Sequence, residues 1–211
     1  MVQDDGSGRS FSCCGRSWWF ADRRPKSWIQ NVDGSNLRQL INDDAADAWP
    51  AWSPDGEWLA YNSLRGGRQE TWRISVETSR AEKIVDGFFR GDWIGQPDGS
   101  GTWIVTSTGP GAFRLVDVEQ RSIVWEQRRP PDSLSMPCFS ADGRLISLPL
   151  GRGRDRTDIV VADAATGSMR VLAHLPFSVL FRASWIDNGK ALLDNRDNTT
   201  SHIVMFDRFT R

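Results

Sequence analysis

The chain has 211 residues, enough for one domain of ordinary size with a substantial core. Its 26 basic and 27 acidic side chains give a formal net charge of -1, and this balance argues against a field that would steer the whole chain onto nucleic acid or an anionic membrane. Three cysteines and two histidines without Cys-x-x-Cys spacing indicate neither a disulfide framework nor a zinc site. No apolar run approaches the length of a membrane-spanning helix.

A glycine in a turn context recurs along the chain. It is found in SFSCCGRSWW, SPDGEWLAYNS, QPDGSGTWIVTS, SADGRLISLPL and IDNGKALLDN, at positions 15, 56, 99, 143 and 189. The intervals of 41 to 46 residues indicate five copies of one structural unit.

Each unit is predicted to contain four strands. The first ends in a bulky residue, namely Phe11, Trp52, Trp93, Phe139 or Trp185. An Asp-Gly or Asn-Gly turn follows in most units, then an apolar strand with the consecutive pattern of burial on both faces. The third and fourth strands follow a polar connection and a second hydrophilic turn, as in TWRISV and AEKIV.

This repeated pattern predicts an all-β fold, namely a β-propeller of about five four-stranded units with an incomplete last blade. The predicted single domain covers 1–211, with units at about 9–47, 48–88, 89–134, 135–178 and 179–211. Residues 2–9 are poor strand material, so they do not obviously complete the last blade. Five blades that close imperfectly remain an alternative, but we favour a fragment of a larger propeller.

The stretch PAWSPDGEWLAYNS, with IQNVDGSNLRQL before it and QETWRI after it, resembles the TolB-type propeller repeat, a Pro-Asp-Gly relative of the WD repeat. The resemblance extends over the chain and is weaker where Cys13 and Cys14 replace the Pro-Asp pair. It implies a scaffold or partner-binding role. The segment DNRDNTTSHIVMFDRFTR resembles the end of propellers attached to bacterial regulators, which implies a sensor or interaction domain.

No catalytic, cofactor-binding or metal-binding residues are predicted. The Gly-x-Ser-x-Gly motif is absent, and His174 and His202 are interpreted as ordinary loop or strand residues. The acidic segment NDDAAD, with Asp43, Asp44 and Asp47, is interpreted as a solvated loop. The aspartates that precede the turn glycines are interpreted as turn formers.

The connections between the second and third strands are the candidate recognition surface, because loops vary while strands repeat. Four of these connections contain arginine. The predicted partner-binding residues are Arg23, Arg24, Arg65, Arg68, Arg152, Arg154, Arg156 and Arg196. They would suit an acidic protein or peptide; alternatively, they only keep the loops soluble.

The sequence therefore predicts a non-enzymatic module that binds a protein or peptide and needs no cofactor. The alternative is a propeller that gates substrate for a peptidase or another hydrolase whose catalytic domain is absent. The first residues lack the apolar core of a secretory signal. The chain as written is expected in the cytoplasm, or in the periplasm if an export signal precedes it.

Overall fold

The computed structural model describes residues 2–4, 9–12, 27–31, 33–109, 112–128, 133–134, 136–153, 156–176, 184–186 and 191–193. The chain divides into two compact units, Met1–Phe89 and Arg90–Arg211. The described residues form nineteen strands and no helix. The predicted all-β class is therefore confirmed.

The first unit begins with a four-stranded antiparallel sheet in the order β1-β2-β3-β4. Its strands are β1 (Val2–Asp4), β2 (Arg9–Ser12), β3 (Ser27–Asn31) and β4 (Arg38–Ile41). Two expectations were wrong here. Residues 2–4 form a strand, and the segment with Phe11 is the second strand, because Phe11 pairs with Ile29 of β3. The physical reason is the sequence Asp-Gly-Ser-Gly at 5–8, whose Asp-Gly pair favours a hairpin there, whereas Cys13 and Cys14 offer no such turn chemistry.

The second sheet completes the first unit in the order β5-β6-β7-β8. Its strands are β5 (Ala46–Trp52), β6 (Trp58–Arg65), β7 (Arg68–Ser75) and β8 (Ala81–Asp86). Residues 59–63 of β6 are all buried, which confirms the prediction that this strand is covered on both faces.

The second unit contains a four-stranded sheet, a five-stranded sheet and a strand pair. The third sheet comprises β9 (Phe88–Gly95), β10 (Thr102–Gly109), β11 (Ala112–Asp117) and β12 (Ser122–Arg128). The fourth comprises β13 (Ser133–Leu134), β14 (Cys138–Phe139), β15 (Leu145–Gly151), β16 (Thr157–Asp163) and β17 (Met169–Leu175). β18 (Ser184–Ile186) pairs with β19 (Ala191–Leu193). The predicted third strand of the last unit, HIVMFD, lies outside the described residues.

One turn is repeated in the second, third and fourth sheets. Gly56, Gly99 and Gly143 each have a φ between 69° and 75°, and each N–H donates to the carbonyl oxygen three residues earlier at 2.9–3.0 Å. The aspartate before each glycine accepts a hydrogen bond from the backbone two residues after itself, at 2.9–3.1 Å. The aspartates are turn formers, as predicted.

Each unit has an apolar core between neighbouring sheets. In the first unit, residues of β3 and β4 pack against the second sheet, in a cluster of Ile29, Leu40, Ile41, Trp52, Leu59, Tyr61, Ile74 and Val76. In the second unit, the third and fourth sheets share a cluster that includes Trp103, Phe113, Leu115, Ile146, Leu148 and Val160. Burial of these side chains holds the sheets face to face.

The outer strands β4, β8, β12 and β17 each contain a one-residue β-bulge. The bulged residues are Leu40, Ile84, Val124 and Leu172. Leu40 and Ile84 are buried, and Leu172 packs against Ile159 and its buried neighbours. Val124 is 39% exposed, and the outer strand of the third sheet therefore differs from the others.

Candidate functional site

The connection between β6 and β7 is a tight hairpin. Arg65 pairs directly with Arg68, so Gly66 and Gly67 alone form the turn. Their φ angles of 57° and 76° are those that a type I′ turn requires, which suits glycine. The sequence predicted a loop over SLRGGRQ; instead the strands run up to the two glycines. The hairpin thus presents its side chains on a rigid support.

Arg65 is held against its own sheet. Its guanidinium pairs with Asp43, lies 3.8 Å from the centre of the Trp72 ring, and donates to Ser63 Oγ at 2.9 Å. These contacts compensate its charge and fix its position. Arg65 therefore stabilises the hairpin through contacts within its own sheet.

The acidic segment beside this hairpin is only partly the solvated loop that was predicted: Asp43 and Asp44 lie in the connection before β5, and Asp44 is exposed, but Asp47 does not belong to that loop. Asp47 lies in β5 and is only 2% exposed. Burial and the neighbouring Asp43 carboxyl together raise the pKa of Asp47 to about 6, although a hydrogen bond from Ser63 and the charge of Arg65 act in the opposite direction. Asp43 forms an ion pair with Arg65. The carboxyl groups of Asp43 and Asp47 and the guanidinium of Arg65 therefore form one charged cluster within the first unit.

The tip of the hairpin carries Leu64 and Arg68 on opposite faces of the sheet, because Leu64 pairs with Gln69 whereas Arg68 pairs with Arg65. Leu64 is 47% exposed, and Arg68 is exposed at the start of β7. In the part of the chain that the structure describes, Arg68 makes no ion pair. An exposed cation therefore lies at the tip of a tight turn, on the same face as Arg65.

The corresponding connection of the fourth sheet contains Arg152 and Arg156. The N–H of Arg152 donates to the carbonyl of Arg156 at 2.8 Å. Arg152 Nε pairs with Asp158 Oδ2 at 2.9 Å, and Asp158 Oδ1 lies 2.7 Å from His174 Nδ1. Although burial raises the pKa of Asp158, hydrogen bonds from His174 and Arg152 bring it below its ordinary value. His174 is a residue of β17, not of a loop as expected.

The remaining predicted arginines lie outside the described residues: Arg23, Arg24, Arg154 and Arg196. Arg65 and Arg68 belong to the first compact unit, and Arg152 and Arg156 to the second. Within its own sheet, each pair occupies the connection between the two central strands.

A cleft of about 600 Å³ lies between the first and second sheets of the first unit. Its lining includes Asn31, Arg38, Glu57, Trp58 and Glu77. Arg38 donates to the carbonyl of Val76, and Arg73 lies 4.4 Å from the centre of the Trp58 ring. The cleft is polar and carries both signs of charge. No local sequence pattern indicates this cleft, because its walls come from residues nearly fifty positions apart.

Over the described ranges, no three His, Cys, Asp or Glu side chains are grouped so that they could hold a metal ion. The same residues include no helix long and apolar enough to cross a membrane.

No protein-family model matches the chain. An uncharacterized protein of Agrobacterium fabrum is 33% identical over 98 residues, which cover 46% of this chain and 32% of the relative. The Tol-Pal system protein TolB of Anaeromyxobacter dehalogenans is 34% identical over 100 residues, with 41% of this chain and 23% of the relative covered. The chain therefore spans only a minor part of the curated relatives it matches.

Solved structures support the same fold. TolB from Acinetobacter baumannii matches 98% of this chain and 52% of its own length, with a TM-score of 0.67 and 20% identity. A prolyl endopeptidase matches 98% of this chain and 34% of its own, with a TM-score of 0.67 and 13% identity. At these identities the structural matches show the fold alone. Together with the curated relatives, they confirm the TolB-like β-propeller repeat that the sequence predicted.

Proposed function

We propose that the chain is a non-enzymatic binding module that recognises a protein or peptide through the connections between its second and third strands. The observation that carries this proposal is the β6–β7 hairpin, where the exposed Arg68 lies directly after a two-glycine turn whose other side is held in place by the contacts of Arg65. A preorganised surface binds with little loss of conformational entropy. The TolB-like repeat supports a scaffold or binding role. We extend this role to the whole protein as part of the proposal.

The two arginines of the hairpin have different roles in this proposal. Arg65 is compensated by Asp43 and covered by Trp72, so it supports the turn. Arg68 offers its guanidinium to a carboxylate of the partner. The partner segment would then contain an acidic residue.

A selection experiment tests this assignment. Peptides that bind the chain would be selected from a random-peptide phage library, and their affinities measured by fluorescence anisotropy. We expect enrichment of peptides that contain Asp or Glu. Arg68→Glu should weaken binding about tenfold or more, since a charge contact is replaced by repulsion.

The matched control is Arg80→Glu, because Arg80 is an exposed arginine of the β7–β8 turn, with 78% of its side chain accessible. It should bind the selected peptides as the unaltered chain does. Equal affinity of the Arg68→Glu and Arg80→Glu variants, or failure to enrich any peptide, would contradict the proposal.

The other predicted arginines extend the proposal to further connections. Arg23, Arg24, Arg152, Arg154, Arg156 and Arg196 are proposed partner-binding residues. Arg152 is engaged by Asp158, so its share in binding requires that it exchange this contact or use its remaining donors. Arg156 is exposed.

We also propose that the chain supplies about five four-stranded units of a propeller, the last incomplete, and that it is part of a larger one. The limited share of each relative that it covers supports this reading. The compartment depends on the full protein, and an export signal there would place the chain in the periplasm.

A propeller that gates substrate for a hydrolase is the second candidate, and the match to a prolyl endopeptidase favours it. His174 has an aspartate partner at 2.7 Å, but its hydrogen bonds within the described residues involve no serine or cysteine. A peptidase assay on the chain alone separates the candidates. Turnover that disappears in His174→Ala or His202→Ala would overturn the binding-module proposal.

A further inference from the structure

The cleft between the first and second sheets lies at one end of the first unit. Successive antiparallel strands turn at alternate ends of a sheet, so the β5–β6 and β7–β8 turns lie at the opposite end of the second sheet from the β6–β7 hairpin. Glu57 and Glu77 of these two turns line the cleft, together with residues of β3 and β4. Its volume of about 600 Å³ is within the range of about 300–1,000 Å³ that is typical of small-ligand sites.

Hydrogen bonds that meet at Val76 hold the walls of the cleft together. The N–H of Val76 donates to the carbonyl oxygen of Glu57 at 2.9 Å, and the carbonyl oxygen of Val76 accepts a hydrogen bond from the Arg38 guanidinium. Because Arg38 belongs to β4, this contact joins the first sheet to the second. Ile29 and Val76 line the cleft and also belong to the buried core of the unit. The cleft is therefore built directly on that core.

The wall from the first sheet is a well-ordered turn. The N–H of Asn31 donates to the carbonyl oxygen of Ser35 at 2.9 Å, and its side-chain amide donates to Ser35 Oγ at 3.0 Å. Asp33 accepts from the N–H and the hydroxyl group of Ser35 at 2.9 and 2.6 Å. Gln30, Asn31 and Asn36 add neutral amide groups to the lining. A wall fixed in this way loses little conformational entropy when a ligand binds.

Three charged side chains line the cleft without neutralising one another. Glu57 and Glu77 are exposed, and Arg38 is half-buried. In the part of the chain that the structure describes, none of the three makes an ion pair, although other charged residues of the second sheet do, such as Arg73 with Glu82. Opposite charges that stay apart in one cleft are complementary to a ligand that carries both signs itself.

We propose that this cleft binds a short peptide by its free termini, with the α-ammonium group on Glu57 and Glu77 and the carboxylate on Arg38. A guanidinium has five N–H donors, so the hydrogen bond to Val76 leaves donors for a carboxylate. The amide groups of the first-sheet wall suit the peptide groups of such a ligand, which a single amino acid lacks. The site shares no residue with the β6–β7 hairpin and is a second binding site of the first unit.

Titration calorimetry of the full 211-residue chain with the tripeptide Ala-Leu-Ala tests the proposal. The same tripeptide with an acetylated N-terminus, an amidated C-terminus or both is measured beside it. We expect the unmodified form to bind most tightly and each singly blocked form to bind about tenfold or more weakly, since each loses a charge-assisted contact. This comparison changes the ligand alone and does not depend on the folding of any variant.

Protein variants assign each terminus to its residues. Glu57→Gln and Glu77→Gln should each weaken the unmodified tripeptide about threefold or more, but should leave the acetylated form unchanged. Arg38→Gln should weaken the unmodified tripeptide and leave the amidated form unchanged, and Arg38→Lys should retain part of the affinity because it keeps the charge. The matched control is Arg68→Gln at the opposite end of the sheet, which should bind the tripeptide as the unaltered chain does. Circular dichroism checks that each variant keeps its strand content.

Three results would overturn the proposal. The first is no binding of the unmodified tripeptide at about 10 mM, well above the range of specific ligands. The second is equal affinity for the unmodified and the doubly blocked tripeptide. The third is a loss in Arg68→Gln as large as that in Arg38→Gln, which would assign the peptide to the hairpin. Failure of the phage selection for the hairpin would leave the outcome of this test unaffected.

Discussion

The second and third sheets have the same strand order and the same aspartate-capped turn, but their outer strands differ. In β8, Lys83 pairs with Glu70 at 2.6 Å and with Asp86 at 2.7 Å, and Glu82 pairs with Arg73 at 2.5 Å. In β12, Ile123 and Val124 face solvent. The shared parts of the two sheets lie in the turn and the central strands. The parts that vary lie at the outer edge, where a change alters what the protein contacts without altering its fold.

The largest effect should come from the part that the two sheets share. Leu59 and Ile104 are fully buried and pair with Ile74 and Val116 of the third strands. Leu59→Ala and Ile104→Ala should each lower the free energy of unfolding by about 2–5 kcal/mol, measured by urea denaturation. Ile123→Ala in the outer strand should change it by less than about 0.5 kcal/mol. A large loss at Ile123 would show that β12 is not the exposed edge described above.

The repeated turn gives the next effect. Gly99→Ala places a Cβ in open space at a positive φ and should cost about 1–2 kcal/mol. Gly143→Ala should cost more, because its Cβ would lie 2.7 Å from the carbonyl oxygen of Gly95. Thermal unfolding followed by circular dichroism compares the two variants. Equal losses would mean that the backbone at Gly95 moves aside without a penalty.

The second sheet has a pH dependence that comes from Asp47. Its pKa is about 6 in the folded protein against an ordinary 3.8, so the folded state binds the proton more tightly than the unfolded chain. The free energy of unfolding should therefore fall as pH rises from about 4 to about 6, by on the order of 1–3 kcal/mol. Asp47→Asn should remove this decrease in urea denaturation series at pH 4 and pH 7.

Glu77→Gln is the control for that series, since Glu77 is exposed in the β7–β8 turn. Its profile should follow that of the unaltered chain. If Asp47→Asn retains the full decrease between pH 4 and pH 7, the buried carboxyl is not its source.

The smallest effect on stability should come from making β8 resemble β12. Lys83→Ile removes two partly exposed ion pairs and should cost less than about 1 kcal/mol. The same change should increase self-association in sedimentation velocity, because it removes the lysine that protects the strand. Unchanged association would indicate that an apolar residue before the bulge is not sufficient to cause self-association.

The repeat could be predicted because its signals are local. An Asp-Gly pair followed within one to three residues by a mainly apolar run favours a turn and then a strand that is covered on both faces. The turns at Gly56, Gly99 and Gly143 follow this rule. The first sheet did not follow from the glycine spacing, since Gly15 lacks the preceding Asp or Asn and pairing with β2 determines the strand at Val2–Asp4.

The site was predicted less completely because its contacts join distant residues. Asp43 and Arg65 are 22 positions apart, so no local pattern shows that they form a pair. The charge of Arg65 therefore looked available in the sequence, and Asp47 looked solvated. Arg65 and Arg68 pair directly across the hairpin, and only the contacts of Arg65 with Asp43 and Trp72 distinguish it from Arg68.

Within the second sheet and the third, every strand pairs with the strand that precedes or follows it in the chain. Only a short connecting segment must therefore be ordered before each pair of strands can form its hydrogen bonds. The loss of chain entropy that precedes each pairing is correspondingly small. Hairpins of this kind form in about 1–10 μs, so a four-stranded sheet can assemble from its own sequence as the chain leaves the ribosome. We expect the order of folding to follow the order of synthesis, one sheet after another, with packing between sheets as the slower step.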